Sequence, residues 1–227
     1  SVRGGRRGEV LYTIDGVSLT DLYDSSMVME VNTSAIQELQ FISGAFNAEY
    51  GKALSGVVNL ATKEGNNDFA GVFTSYVGGH TSNHTSIFRH INKFNPAAIQ
   101  DYEGSLSGPI IKDNVYFYVT GRYIYDDGYI YGKRVFNPWD ITKIVNGNAE
   151  GAEKYSIQKS GDGEYVPMNF SERTSLHGRI SIVSLPKIKF NLTSMYSKER
   201  FSEYDHSYTY NPDGNVKRFQ WATTNIF

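Results

Sequence analysis

His80, His84 and His90 sit close together in one polar stretch of the chain, a spacing that raises the question of a metal site. Such a site needs ligands that converge in space and a second layer of groups to orient them, and nearness in a loop supplies neither. The stretch is read as solvated loop histidines. Ser156-Ile157-Gln158-Lys159 has the Ser-x-x-Lys form of a nucleophile and its base, but it lacks the partner motifs that accompany that chemistry. Asp126-Asp127-Gly128 and Asp162-Gly163-Glu164 offer carboxylates without the spacing of a calcium loop, so they read as turns. Arg3 and Asp15 are each set beside glycine in a compact region. Each is a candidate to pair with a charge on a facing wall, or else to form an ordinary surface ion pair. Trp139, Tyr155 and Tyr165, spread among Asn, Asp, Glu and Lys, form a mixture suited to holding a polar ligand or a partner protein. No catalytic residue, cofactor or metal emerges, and the chain reads as a non-enzyme.

The composition narrows the class further. A formal net charge of −2 without any dense Lys/Arg block argues against a nucleic-acid partner. The absence of cysteine removes disulfide frameworks and thiolate metal sites. Seventeen Tyr, 13 Phe and 22 Gly, with a mean hydropathy of −0.41, suit an all-β chain with many turns. They also suit an outer-membrane barrel, whose strands alternate apolar and polar residues. No run approaches the roughly 18 apolar residues of a membrane-spanning helix. The chain starts at Ser1-Val2-Arg3-Gly4-Gly5 without an initiator Met, which is read as the interior of a larger protein.

From about residue 66 onward the pattern is one of long strands: Phe69–Val77, Tyr102–Ile110, Val115–Tyr125, Leu176–Ser184, a fifth from Ile188 and a sixth from Lys217. In the third, Val115, Phe117, Val119, Tyr123 and Tyr125 share one face while Tyr116, Tyr118, Thr120 and Arg122 share the other. Leu176, Ile180 and Ile182 oppose His177, Arg179 and Ser181, and Ile188, Phe190 and Leu192 oppose Lys189, Asn191 and Thr193. A period of two with one apolar and one polar face means a sheet between two different surroundings. The connections alternate long and short, the rhythm of a transmembrane barrel. The alternative, a soluble antiparallel sheet with one wet face, lacks a reason for that rhythm. Six strands do not close such a barrel, so they are its first part, and plugged barrels use about 22.

Residues 1–65 read differently. Glu9–Ile14 is a strand, Asp15-Gly16 a turn, and Ser34 caps a short helix over Ala35–Leu39 that leads into a strand over Gln40–Ser43. A further strand over Val57–Thr62 is fenced by Gly51, Gly56 and Gly65. The unit is a small α+β domain.

Several of its blocks resemble the plug domain of TonB-dependent outer-membrane receptors. They are Val2-Arg3-Gly4-Gly5, Tyr12-Thr13-Ile14-Asp15-Gly16-Val17, Ile36-Gln37-Glu38-Leu39-Gln40, and the closing block from Gly44 through Tyr50-Gly51, Gly56, Asn59 and Thr62-Lys63. Gly44-Ala45 stands where the family often has Gly-Pro, and Ser55-Gly56 where it often has Gly-Gly. The Phe46-Asn47-Ala48-Glu49-Tyr50-Gly51 version looks like the Oar-like branch found in Bacteroidetes-type bacteria. The resemblance implies a plug, residues 1–65, inside a transmembrane antiparallel β-barrel whose first strands and loops are residues 66–227. It further implies location in the outer membrane of a Gram-negative cell and energised uptake through TonB, which would act on a segment not in this chain. Outer-membrane lipid and a surface lipoprotein or other outer-membrane subunit are the remaining partners expected. The alternative within the same architecture is a non-transporting scaffold in an outer-membrane complex, and a soluble β-rich hydrolase is the third reading.

Three expectations follow. Phe117, Val119, Ile180, Ile182, Phe190 and Leu192 face lipid, so that Ile182→Arg impairs folding into bilayers and Arg179→Ala is tolerated better. Residues 78–99, 126–173 and 205–216 share one end of the wall, outside the cell. The loop 126–173, far longer than closure needs, contacts a ligand or a neighbouring subunit, or else is disordered.

Overall fold

The computed structural model describes residues 10–19, 31–42, 56–185 and 188–226. Arg3, Gly4, Gly44, Tyr50 and Gly51 lie outside them, as do Pro186 and Lys187.

The first part of the chain forms a four-stranded sheet from β1 (Val10–Ile14), β2 (Val17–Ser18), β3 (Ile36–Ile42) and β4 (Gly56–Thr62), in the order β2-β1-β4-β3. β1 and β4 run parallel, and the other neighbours are antiparallel. Asp15 and Gly16 turn β1 into β2 with φ of 48° and 87°. Two successive positive φ angles make the hairpin turn whose twist matches its strands, the reason Asp-Gly serves there.

The expected helix over Ala35–Leu39 is not formed. A single 3-10 turn covers Thr33–Ala35, and β3 begins at Ile36. Asn32 rather than Ser34 precedes the turn, without a side-chain cap. Five residues cannot offset the cost of helix nucleation. Pairing of Leu39 with Leu60 and of Phe41 with Val58 satisfies the same backbone along a strand instead. The described part of this unit therefore contains no α-helix, which corrects the α+β reading there.

The second part is a six-stranded antiparallel meander of β5 (Ala70–Gly78), β6 (Ile99–Ile111), β7 (Val115–Asp126), β12 (Ser171–Leu185), β13 (Ile188–Ser202) and β14 (Arg218–Ile226). Each strand pairs with the next in this series. The sheet is open among the described residues. The strands agree with those read from alternation, and β6 and β12 run three and five residues further toward the long loops.

Register lines up the side chains across the sheet. Ile180 lies between Phe117 and Leu192, and Ile182 between Val115 and Phe190. One residue along, Arg179 lies between Tyr118 and Thr193, and His177 between Thr120 and Met195. Burial on these two faces is inverted relative to a water-soluble sheet. Val119, Leu176, Ile180, Ile182, Phe190 and Leu192 are exposed, whereas Thr120, His177, Arg179, Ser181 and Thr193 are buried.

The long connection between β7 and β12 is structured. It holds two small antiparallel pairs, β8 (Tyr131–Lys133) with β11 (Tyr165–Pro167) and β9 (Thr142–Ile144) with β10 (Tyr155–Ile157). Three-residue strands carry too few alternations to be seen as periodic, so the sequence reads as an irregular loop.

Candidate functional site

The buried polar face of the meander meets the four-stranded sheet, and the contacts between them form the candidate site. Arg179 on β12 is its centre, with 7% of its side chain exposed. Its Nη1 donates to Asp15 Oδ1 (3.2 Å), Thr62 O (3.1 Å) and Thr62 Oγ1 (2.6 Å), and its Nη2 to Glu64 Oε1 (2.6 Å). Lys189 Nζ bonds the other Glu64 oxygen. Asp15 accepts from the Thr62 amide at 2.9 Å and from the Thr62 hydroxyl at 2.5 Å. The hairpin turn aims Asp15 at the end of β4, and the planar guanidinium then reads two carboxylates and a backbone carbonyl at once.

A second group of contacts lies along the same face. Tyr118 Oη donates to Ser34 O at 2.7 Å, Ser34 Oγ lies 3.1 Å from Thr120 Oγ1, and Ser175 Oγ donates to Asn32 Oδ1 at 2.7 Å. His177 is buried beside them, its ring 6.1 Å from that of Tyr118, and neither ring nitrogen has a hydrogen-bond partner. Met195 on β13 is the wall residue in a buried cluster with Ile14, Leu19 and Leu60.

The chain leaves β4 through Gly65, where a Cβ would collide with the backbone carbonyl of Phe117. Only glycine lets the linker pass this close to β7. Asn67 then ties the linker to the short turn after β6, donating to Asp113 Oδ1 (2.6 Å) and accepting from the Asp113 amide (2.9 Å).

At the opposite end the three long loops form one unit. His90, at a strained φ of 70°, stacks on Tyr165 with ring centroids 4.7 Å apart. Lys133 and Val135 donate backbone bonds to Thr209 and Tyr210. Arg134 bridges the second and third loops, with Nε 2.5 Å from Asp213 Oδ2 and Nη1 2.6 Å from Asp162 Oδ2. Asp162 is held below the ordinary carboxylate range by the Glu164 amide, with Arg134 adding to it. Asp126 and Asp162 accept from the amides of Gly128 and Glu164, ordinary turn bonding.

Of the residues singled out from sequence, Asp15 and Thr62 come together at Arg179, while Asn59 binds Thr13 beside them (2.9 Å). Gly16 completes the turn, Gly56 opens β4, and Lys63 donates its amide to Ala35 O. Trp139, Tyr155 and Tyr165 share no ring contact among the described residues. Trp139 stands 71% exposed, while Tyr165 is engaged with His90 and Lys133. His80 Nε2 lies 3.5 Å from Asp126 Oδ1, and no group of three or more metal-binding side chains converges among the described residues. Arg179, expected on the polar face and with Arg179→Ala expected to be better tolerated than Ile182→Arg, is the centre of the junction. Glu64, Lys189, Asn32, Ser34 and Tyr118 were not singled out for this contact. The signal available was a polar-side position on its strand for Lys189 and Tyr118 and a polar residue in a connecting segment for Glu64, Asn32 and Ser34, without an indication of what each faced.

An antiparallel meander that exposes its apolar face, buries its polar face on a small mixed sheet and gathers its long loops at one end defines a segment of an outer-membrane β-barrel. No protein-family model matches the chain. It is 27% identical over 124 residues to the TonB-dependent transporter Oar of Myxococcus xanthus, a match covering 52% of this chain and 12% of that protein. Its fold matches a mutant of the ferric enterobactin receptor PfeA of Pseudomonas aeruginosa with a TM-score of 0.52 and 16% identity, over 96% of this chain and 30% of that one. A second mutant structure of that receptor gives a TM-score of 0.50 and 14% identity, over 97% and 31% of the two chains. The likeness gives the chain the fold of part of an outer-membrane β-barrel, and with it a place in the Gram-negative outer membrane; the chain spans only part of the length of the relatives it matches. The relatives are named as a transporter and as a receptor.

Proposed function

We propose that this chain is the plug and first wall strands of a TonB-dependent outer-membrane transporter of the Oar-like kind, and that the Arg179 junction holds the plug until it is pulled. In this reading residues 1–65 occupy the lumen, residues 66–227 begin the wall, and the apolar face meets lipid. The long loops face outside, with loop 126–173 meeting the ligand or a neighbouring subunit, and TonB acts on a segment beyond this chain.

The observation that carries the reading is the chemistry of the junction. It is a row of hydrogen bonds around one buried guanidinium, with Met195 as the wall residue in the buried apolar cluster. An apolar interface resists opening in proportion to its area. A hydrogen-bonded one exchanges its partners for water at a net cost of about 0.5–1.5 kcal/mol per bond, more for bonds to charged groups. Such a junction is firm at rest and can be opened by force as water enters.

The test uses the absence of native cysteine in the chain. Asn32→Cys places a thiol at a position 8% exposed in the resting junction. In growing cells a water-soluble maleimide should label it faster when the TonB complex is active than when TonB is deleted. Equal labelling in the two strains would remove the energised-transporter reading and leave the scaffold.

A further inference from the structure

The outward face of the wall changes character toward the loop end. Along β13 the outward residues run Ile188, Phe190, Leu192, Ser194, Tyr196, Lys198 and Arg200, alternating with inward Lys189, Asn191, Thr193 and Met195. At about 3.4 Å per residue and a tilt near 40°, Ile188 to Tyr196 spans roughly 21 Å of membrane depth. That nearly fills the apolar band of about 25 Å that such barrels present to lipid. Lys198 and Arg200 therefore stand just past the band, at the depth of the headgroups on the loop side.

Cross-strand register places Glu172 and Gln220 beside Arg200, and Thr174 and Ala222 beside Lys198. Glu172, Thr174, Lys198, Arg200 and Gln220 line a groove of about 140 Å³ there. Its parts are preset. Arg200 Nη2 lies 2.6 Å from Glu172 Oε2, and its guanidinium covers the Phe170 ring at 5.5 Å. Tyr123 Oη donates to the other Glu172 oxygen at 3.3 Å. Lys198 is exposed and has no ion-pair partner among the described residues.

We infer that this groove is a binding site for a phosphate-bearing lipid headgroup of the loop-side leaflet. Lys198 supplies an uncommitted cation and Arg200 a held, planar one. The Thr174 hydroxyl and the Gln220 amide are neutral donors at the same level, a set that suits the several oxygens of a phosphate ester. Continuity with the apolar rows of β12 and β13 selects a lipid over a free anion, because the acyl chains then lie along Leu176 and Leu192. The inference rests on the proposed lipid-facing orientation of that apolar face.

The experiment reconstitutes the intact protein in phosphatidylcholine bilayers carrying a minority of phosphatidic acid and counts retained lipids by native mass spectrometry. Wild type should retain phosphatidic acid in preference to phosphatidylcholine. Lys198→Gln should lower that preference about fivefold, the factor for one cation at a charged membrane surface. Lys198→Arg should restore it, and Lys112→Gln, exposed in the short turn at the other end of the wall, should leave it unchanged. Equal preference in wild type and Lys198→Gln, or an equal loss from Lys112→Gln, would overturn the site. Displacement of the retained phosphatidic acid by inorganic phosphate would also overturn it, as a site for free anions. Failure of wild type to retain either lipid would overturn the lipid-facing reading itself, a separate result.

Discussion

Arg179 and Asp15 stand 164 positions apart in the chain and meet at 3.2 Å, Nη1 to Oδ1, across the junction between the two sheets. Thr62 mediates the contact, accepting from Arg179 and donating to Asp15 through one hydroxyl. The three residues come from β12, the β1–β2 turn and the end of β4, so this one contact requires both sheets to be complete.

Truncating Arg179 leaves Asp15 and Glu64 without their shared partner. Arg179→Ala should cost about 3–5 kcal/mol of attachment between the sheets, the range for breaking a buried pair. Lys189→Ala, at an ion pair whose lysine is 44% exposed, should cost roughly 0–1 kcal/mol. Resting maleimide labelling of Asn32→Cys measures both, and similar labelling in the two backgrounds would contradict the ranking. This predicted cost runs against the expectation that Arg179→Ala is tolerated better than Ile182→Arg.

Ile182→Arg tests the other face. Ile182 is 41% exposed on the apolar face and pairs with Phe190, roughly 5 Å inside the short-turn edge of the apolar band, so a charge there should cost about 1–2 kcal/mol, between the interface and midplane values. Heat-modifiable migration after folding into vesicles should show a reduced folded fraction. Wild-type folding of this variant would place Ile182 away from lipid.

Gly65→Ala and Gly178→Ala form a matched pair. An added methyl at Gly65 strikes the Phe117 carbonyl, whereas at Gly178 it meets nothing within 4 Å. The first should cost about 1–3 kcal/mol through overpacking, the second far less. Tryptic cleavage after Lys63 should rise in the first variant alone.

Arg134 joins two loops through Asp162 and Asp213. Arg134→Ala should speed cleavage within residues 126–173 by protease added outside intact cells, without cutting at Lys112. Cleavage confined to the Lys112 turn would show that the wall runs in the opposite sense.

The loop unit should withstand mild acid. Asp140 is held below the ordinary carboxylate range by the Ser160 hydroxyl, with the Ser160 and Asn137 amides adding to it. Asp205 is held low by the Ser207 amide, then by Lys217. A depressed folded pKa gives stability that is present above the unfolded value of about 3.9 and is lost as pH falls through the folded value. The part of the fluorescence signal that Trp139→Phe removes should stay constant from pH 7 to about pH 5 and change only below about pH 4. A change centred near pH 6 would contradict this account.

Much of the wall was legible because each long strand repeats one two-residue rule many times. Ile180, Ile182, Phe190 and Leu192 declare their face by alternation alone, and the short turn at Asp113 sets the sense of the meander. The Asp15-Gly16 turn was equally local, since few residue pairs adopt two positive φ angles. The strand over Ile36–Leu39 was misread because a short segment's local preference is weak, and pairing with β4 decided its conformation.

The sequence by itself determined the two-faced strands, the alternation of long and short connections and the glycine-fenced β4, because each depends on neighbours a few residues away. Only the tertiary structure decided that Arg179 joins Asp15, Thr62 and Glu64 and that Lys198 and Arg200 share a groove with Gln220. It alone also decided that the three long loops lock through Arg134 and His90. Those outcomes depend on register between strands and on how one sheet seats on another. A charged residue on a polar face looks the same in sequence whether it meets water or the carboxylate of a distant turn.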